Sequence, residues 1–313
     1  MTGTTVVATF YRFTPLPDYR ERRGPLLAFC RARGLLGTIL LAEEGINAIV
    51  AGPRRAVDAL LARLRSEPAF AGLDPRESLH AEPPFLRMKV KLKREIVTMG
   101  SPRVEPQRTV GTYVEPRDWN ALVDDPRVLL VDTRNAYEVG IGTFRGAVDP
   151  DTRSFREFPV WARAHLDPRR QRKVALFCTG GIRCEKAAGY LLQQGFETVY
   201  QLRGGILRYL EEVPVARSSW QGECFVFDDR VAVNHALERG SYEQCFACRH
   251  PLSVADRRSP HYESAVSCPH CHGALDPGRR ARFAERRRQT ALARSRGERH
   301  IGARLPRAAS VEQ

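Results

Sequence analysis

The run Phe177-Cys178-Thr179-Gly180-Gly181-Ile182-Arg183-Cys184 places a thiol where an apolar stretch, Val174 to Phe177, gives way to two glycines and then to a helical pattern. A buried strand, a tight loop and a helix N-terminus in that order make an anion cradle. The glycines let successive backbone N–H groups turn inward, and the helix dipole adds positive potential. With Arg183 as an electrostatic partner, Cys178 is expected to titrate below a free thiol and to act as a thiolate. The bland alternative is a small apolar residue closing a strand, since free cysteine is among the most buried residue types.

A second group of thiols follows a different rule. Cys245-x2-Cys248, nineteen intervening residues, then Cys268-x2-Cys271 gives two knuckles with the spacing of a zinc ribbon. Four thiolates suit a tetrahedral Zn²⁺, whose binding adds ~10–16 kcal/mol of folding free energy to a segment too small for its own core. His250, His270 and His272 stand beside the knuckles as alternative ligands, and four reduced, metal-free thiols are the competing reading. Weaker signals carry less. His165-Leu166-Asp167 with a distant His235 has facial-triad composition, but reads better as a surface pair after a helix. No G-x-G-x-x-G follows a strand, so no flavin site is evident, and no haem site either. Cys30 sits among helical apolar residues and reads as core, and Trp119, Trp161 and Trp220 read as packing residues.

These groups must be positioned by folded modules, and the chain is long enough for several. It has 313 residues, 42% hydrophobic and 27% charged, which excludes a disordered chain and suggests at least two domains. No stretch reaches the ~18 apolar residues of a membrane span, and MTGTTVVATF lacks a signal peptide's basic and apolar regions. The expectation is a soluble cytoplasmic protein without membrane contact. Net charge is +14, and Arg279 to Arg307 holds eleven Arg against two Glu. An anionic partner such as nucleic acid follows, met by a solvated arm carrying Arg279, Arg280, Arg282, Arg286, Arg287 and Arg288.

Residues 1–97 read as a ferredoxin-like βαββαβ domain. Its last strand, drawn from Phe85 to Val97, alternates apolar residues with Arg87, Lys89, Lys91 and Lys93, a basic row that is either solvated or RNA-facing. Residues 98–115 read as a linker. Residues 116–217 alternate helices with continuous apolar strands, the mark of a parallel α/β sheet covered on both faces. Residues 218–278 form a small Cys-rich, zinc-ribbon-like module, and 279–313 a basic tail, partly helical at most.

Asp132-Thr133-Arg134 ending one strand and CTGGIR from Cys178 ending the next resemble the rhodanese domain, a carrier of sulfur as a persulfide on its loop cysteine. The resemblance extends further. Gly111-Thr112-Tyr113-Val114, DTRNAYEVGIG, CTGGIRCEKA, GECFVFDDRVAV, QCFAC, VSCPHC and the late Arg-rich stretch near His300-Ile301-Gly302 are together similar to the tRNA uridine(34) hydroxylase family. One departure is Ala48 in Glu44-Gly45-Ile46-Asn47-Ala48, where a glycine is expected.

The resemblance implies oxygen-dependent conversion of the wobble uridine of tRNA to 5-hydroxyuridine, with dioxygen as co-substrate and an unidentified electron donor. It makes Cys178 the essential thiol of a loop containing Thr179, Gly180, Gly181, Ile182 and Cys184. Cys184 either resolves a persulfide or sulfenate as a disulfide, or replaces a hydroxyl residue at the loop end. Two other functions compete: a sulfurtransferase passing persulfide sulfur to tRNA or a carrier, and a catalytically silent RNA-binding scaffold.

Overall fold

Strand alternation in the first ninety residues sorts side chains onto two faces, and each face meets a different part of the protein. The computed structural model describes residues 4–100, 104, 106 and 108–298. The chain divides into two compact units, Met1–Ser241 and Tyr242–Gln313.

The first unit opens with β1 (Thr5–Phe13), α1 (Tyr19–Ala32), β2 (Leu36–Ala42), β3 (Gly45–Gly52), α2 (Arg54–Arg65), β4 (Arg76–His80) and β5 (Met88–Leu92). The sheet order is β4-β1-β3-β2-β5. Val6, Ala8 and Phe10 of β1, Ile39 and Leu41 of β2, and Ile46, Ala48 and Val50 of β3 share a core with Leu26 and Cys30 of α1 and Val57, Leu60, Leu61 and Leu64 of α2. The alternate residues, Thr9, Tyr11 and Phe13, Thr38 and Leu40, Asn47 and Ile49, line a cavity instead. Their register agrees: Thr9 and Thr38 flank Ile49, and Tyr11 and Leu40 flank Asn47.

The ferredoxin-like arrangement is present, but its fourth strand is not the one expected. Arg76–His80 pairs antiparallel with β1 and completes it. The lysine-bearing segment is shorter than drawn and adds as a fifth strand, parallel to β2 at the other edge. The sequence RESLH hides its strand because its one apolar residue, Leu79, is 66% exposed, so no alternation appears.

Next come β6 (Thr112–Val114), α3 (Pro116–Val123), β7 (Val128–Asp132), α4 (Ala136–Val139), β8 (Gly142–Phe144), α5 (Phe158–His165), β9 (Lys173–Phe177), α6 (Ile182–Gln193), β10 (Thr198–Leu202) and α7 (Gly205–Glu212). The sheet order is β6-β10-β9-β7, with every pairing parallel. β7 and β9 bury side chains on both faces. Val131, Val174 and Leu176 pack with Phe158, Ala187 and Leu191, while Leu130, Ala175 and Phe177 pack with Trp119, Ile206 and Tyr209.

The segment 98–115 is not a free linker. Met99 and Val104 are buried in the core of this sheet, and Thr112–Val114 is its edge strand. Residues 218–241 also belong here rather than with the later cysteines. Trp220–Gly222 pairs antiparallel with β8, and Cys224–Phe225 with Ala232–Val233. Cys224 is fully buried beside Phe144 and Leu202.

The second unit contains a short hairpin, Glu243–Gln244 against Pro251–Leu252, then α8 (Val254–Arg258) and α9 (Pro277–Ser295). The expected solvated arm is therefore a continuous helix over its first part, started by Pro277 and by Asp276, whose carboxylate accepts the Arg279 N–H at 2.8 Å. Residues 299–313, including His300-Ile301-Gly302, lie outside the described residues. Among the described residues no helix is long and apolar enough to cross a membrane.

Candidate active site

Cys178 follows directly on β9 and is fully buried, and its Sγ accepts the Gly181 N–H at 3.1 Å. Gly181 has φ +96° and starts α6, so the expected strand-loop-helix cradle is present. A second glycine loop braces it from behind. Ile206 and Leu207 donate their N–H groups to the Cys178 and Thr179 carbonyls at 3.0 and 3.1 Å. A Cβ on Gly205 would come within 2.5 Å of the Cys178 carbonyl oxygen, at a φ of +67°. Only glycine fits where these loops touch.

Burial pushes the Cys178 thiol up. The Cys184 thiol, the Arg183 charge and the N–H groups of residues 183 and 184 outweigh burial and lower its pKa to about 6. Cys184, also fully buried, moves the other way. Burial and the neighbouring Cys178 hold it protonated, well above the usual thiol range. Its Sγ also lies 3.7 Å from the Thr133 hydroxyl. The pair thus holds one thiolate and one thiol.

Arg183 reaches the thiolate only as a shared charge. Its guanidinium forms a bidentate pair with Glu138 at 2.6 and 2.7 Å, and Thr179 lies 3.5 Å away. Burial works against ionised Glu138, yet the Arg183 charge and hydrogen bonds keep its pKa low. Glu138 is itself fixed as the third residue of α4, where its Oε2 accepts the Asn135 N–H at 3.1 Å. The expected Asp132-Thr133-Arg134 turn is a scaffold. Arg134, fully buried, clasps Asp132 at 2.6–3.2 Å and bonds the Gly142 carbonyl.

The first helical turn of α6 also holds the ferredoxin-like sheet. Glu185 Oε1 accepts the Tyr11 and Tyr113 hydroxyls, each at 2.8 Å. Lys186, 2% exposed, sits between Glu44 and Glu95 at 2.8 and 2.6 Å. Between the two sheets lies a cavity of about 930 Å³, near the upper end of small-molecule sites. Cys178, Thr179, Gly180, Ile182 and Arg183 line it together with Tyr11, Phe13, Tyr113, Glu185, Arg203 and Phe227. Lys89, Lys91 and Lys93 are not among its lining residues.

In the second unit, Cys245, Cys248, Cys268 and Cys271 bring their Sγ atoms within 4.8 Å of one another, a group able to hold a metal ion. Three separations, 4.0, 3.7 and 3.7 Å, match the roughly 3.8 Å between thiolates on a tetrahedral ion with ~2.3 Å bonds. His250 and His270 stack on each other at 3.6 Å and stand outside that group. His165 bonds the Trp161 carbonyl and Asp167 pairs with Arg169, so both are in surface roles. Of the α9 arginines, Arg280 and Arg287 pair with Glu263 at 2.6 and 3.0 Å, and Arg286 donates to the Phe246 and Ala265 carbonyls. Arg288 pairs with Glu285, Arg279 lies over the Phe283 ring, and Arg282 is exposed.

Two family models match: an acylphosphatase-like domain designated UPF0176 over residues 5–96, and a rhodanese-like domain over residues 115–212. The chain is 58% identical over 278 residues to the tRNA uridine(34) hydroxylase of a Picosynechococcus strain, covering 89% of this chain and 93% of that one. With the Sinorhizobium fredii protein of the same name it shares 55% over 300 residues, covering 96% of each. The chain belongs to the tRNA uridine(34) hydroxylase family. The rhodanese-like domain of an Anabaena protein, solved by NMR, overlays 36% of this chain and 80% of that one, with 17% identity and a TM-score of 0.30.

For a member of the tRNA uridine(34) hydroxylase family, the site and its supports have residues that sequence reading missed. Glu138 was visible only as a polar residue within DTRNAYEVGIG, and nothing local marks it as the partner of Arg183, 45 positions later. Tyr11 and Glu185 are separated by 174 positions. The brace at Gly204-Gly205 had a local signal, two glycines shortly after a strand ending at Leu202, as two glycines follow the strand before the thiol loop.

Proposed function

We propose that the protein hydroxylates C5 of the wobble uridine of tRNA, with Cys178 as the working thiol and dioxygen as the co-substrate. The observation that carries this reading is the Cys178 thiol, cradled by the Gly181 N–H and lining an aromatic-rich cavity, in a chain whose relatives over nearly its full length are tRNA uridine(34) hydroxylases. Enzymes that act on a base take it out of its stack into such a pocket. The conversion replaces C5–H by C5–OH. With dioxygen as oxidant, two electrons and two protons carry the second oxygen to water, so a two-electron donor is required. Cys178 in its cradle, with Cys184 beside it, supplies thiol chemistry able to take part in electron or proton transfer at the base.

The four-cysteine cluster holds one structural Zn²⁺ in this reading, fixing the second unit, and α9 with Arg279, Arg282 and Arg288 adds attraction for tRNA phosphates. In this reading the enzyme works in the cytoplasm, on tRNA.

A second reading, transfer of persulfide sulfur to tRNA, is favoured by one feature: the Gly181 N–H aimed at Cys178 Sγ suits an extra anionic sulfur equally well. Hydroxylation and replacement of oxygen by sulfur add the same nominal mass, so the test is labelled dioxygen with high-resolution nucleoside mass spectrometry. One labelled oxygen in 5-hydroxyuridine supports the hydroxylase, and 2-thiouridine supports the sulfurtransferase.

A further inference from the structure

Glu185 is a half-buried carboxylate with no ion-pair partner among the described residues, although the Arg203 charge acts on it from across the same cavity. Its Oε1 accepts two tyrosine hydroxyls, and Oε2 has no partner among the described residues. Glu185 lines the same cavity as Cys178. Oε2 is not among the buried atoms left without a partner, so it keeps an accessible face, the one a ligand entering the cavity would meet. Burial is the main influence on its titration and raises its pKa, the two tyrosines oppose that, and the charge of Cys178 adds to it. The carboxylate therefore stands close enough to the thiolate to feel its charge.

The surroundings define what a complementary ligand offers. Rings of Tyr11, Phe13, Phe85, Tyr113 and Phe227 line the cavity, a wall suited to a flat heterocycle. A free acceptor among them calls for an N–H donor in the plane of that heterocycle. Uracil's in-plane base donor is its imide N3–H, whereas cytosine has an acceptor at N3 and its donor on the N4 amino group beside C5, so a carboxylate that takes cytosine draws the C5 edge toward itself. A uracil held at N3 presents its C5–C6 edge on the side away from the carboxylate, leaving C5 open to reaction.

We propose that Glu185, oriented by Tyr11 and Tyr113, selects the base: its Oε2 accepts the N3–H of a uracil ring that has left the anticodon stack and entered the cavity of Cys178. The proposal rests on the hydroxylase reading and adds to it the residue that distinguishes uracil from cytosine. Tyr11 comes from the ferredoxin-like domain and Tyr113 from the edge strand of the parallel sheet, so both domains hold Oε1 and thereby orient the carboxylate.

The test compares anticodon stem-loop RNAs carrying uridine, cytidine or N3-methyluridine at position 34. Glu185→Gln keeps an oxygen for both tyrosines and replaces the free acceptor by a donor. Wild-type enzyme is expected to lose on the order of 10–100-fold in kcat/KM on N3-methyluridine relative to uridine, the effect of one hydrogen bond to a charged group. In Glu185→Gln the rate on uridine falls by a similar factor, the uridine preference shrinks to within a few-fold, and the melting temperature stays unchanged. A wild type that accepts N3-methyluridine as well as uridine overturns the proposal, as does a Glu185→Gln variant with undiminished preference. Binding of the same RNAs to Cys178→Ser, with and without Glu185→Gln, gives an arm free of catalysis. Loss of uridine preference on adding Glu185→Gln supports the proposal, and no change refutes it. Absence of 5-hydroxyuridine from wild type, with the binding preference intact, defeats the hydroxylase reading alone.

Discussion

Arg183 gives both terminal nitrogens to one carboxylate, that of Glu138, in a pair that is almost wholly shielded from solvent. The thiolate of Cys178 therefore sees an arginine whose charge is already half answered. Removing either partner leaves a lone buried ion, at a cost of about 3–5 kcal/mol.

Arg183→Ala is accordingly expected to lower the melting temperature and to raise the Cys178 pKa toward that of an ordinary thiol. Glu138→Gln is expected to lower stability too, but to move the thiol pKa further down, since the guanidinium is no longer neutralised. Calorimetry and the pH dependence of alkylation, read together, check the opposite signs. Equal thiol shifts in both variants would show that Arg183 does not act on Cys178 through charge.

A thiol held at about 6 has a characteristic reactivity profile. Alkylation of Cys178 by iodoacetamide, followed by peptide mass spectrometry, should rise as pH passes 6 and level off before pH 8. A free thiol, with a pKa of ~8.5, is still climbing there. The direction follows from the thiolate being the nucleophile: acidification through the lowered pKa protonates it and slows the reaction. A profile still climbing at pH 9 would contradict the cradle described above.

Lys186→Met removes the one cation between Glu44 and Glu95 and leaves two carboxylates facing each other. The carboxylates are partly exposed, so the expected loss is about 2–4 kcal/mol, below that of a fully buried pair. Urea unfolding should show a lower midpoint, and limited proteolysis should cut faster between residues 98 and 111. Unchanged proteolysis would mean that this contact does not hold the ferredoxin-like domain on α6.

Metal analysis of protein prepared without added zinc should find close to one equivalent per chain. Cys245→Ser or Cys268→Ser should lower zinc content and the stability of the second unit together, while the alkylation profile of Cys178 stays as in wild type. Stable, metal-free wild type would remove the structural Zn²⁺ from the reading.

The thiol loop and the four-cysteine cluster were legible because each is local: a few adjacent residues, or two knuckles, carry the whole chemical argument. The parallel sheet was legible through its continuous apolar strands. What stayed hidden depends on contacts across the chain. Glu138, Glu185 and Lys186 are ordinary polar residues until folding brings them to Arg183, Tyr11 and Glu44. The strand Arg76–His80 carries no apolar alternation, because its side chains are half-exposed at the sheet edge. Residues 98–115 looked like a linker since Met99 and Val104 are isolated apolar residues, yet each fills a place in the core beside α6. The basic helix was read as an arm because its positive charge predominates, whereas Glu263 and three backbone carbonyls fasten three of its arginines.

The alternation in Thr5–Phe13 has a consequence for how this protein can change over time. Thr9, Tyr11 and Phe13 build the cavity wall while Val6, Ala8 and Phe10 belong to the helix-covered core, so this stretch is read in two interleaved frames. Loss of a single residue within it would exchange the frames, pointing Tyr11 into the core and Phe10 toward the thiol. A substitution can alter one frame and spare the other; a one-residue deletion corrupts both. Natural variation at this strand should therefore be rich in replacements and nearly devoid of length changes.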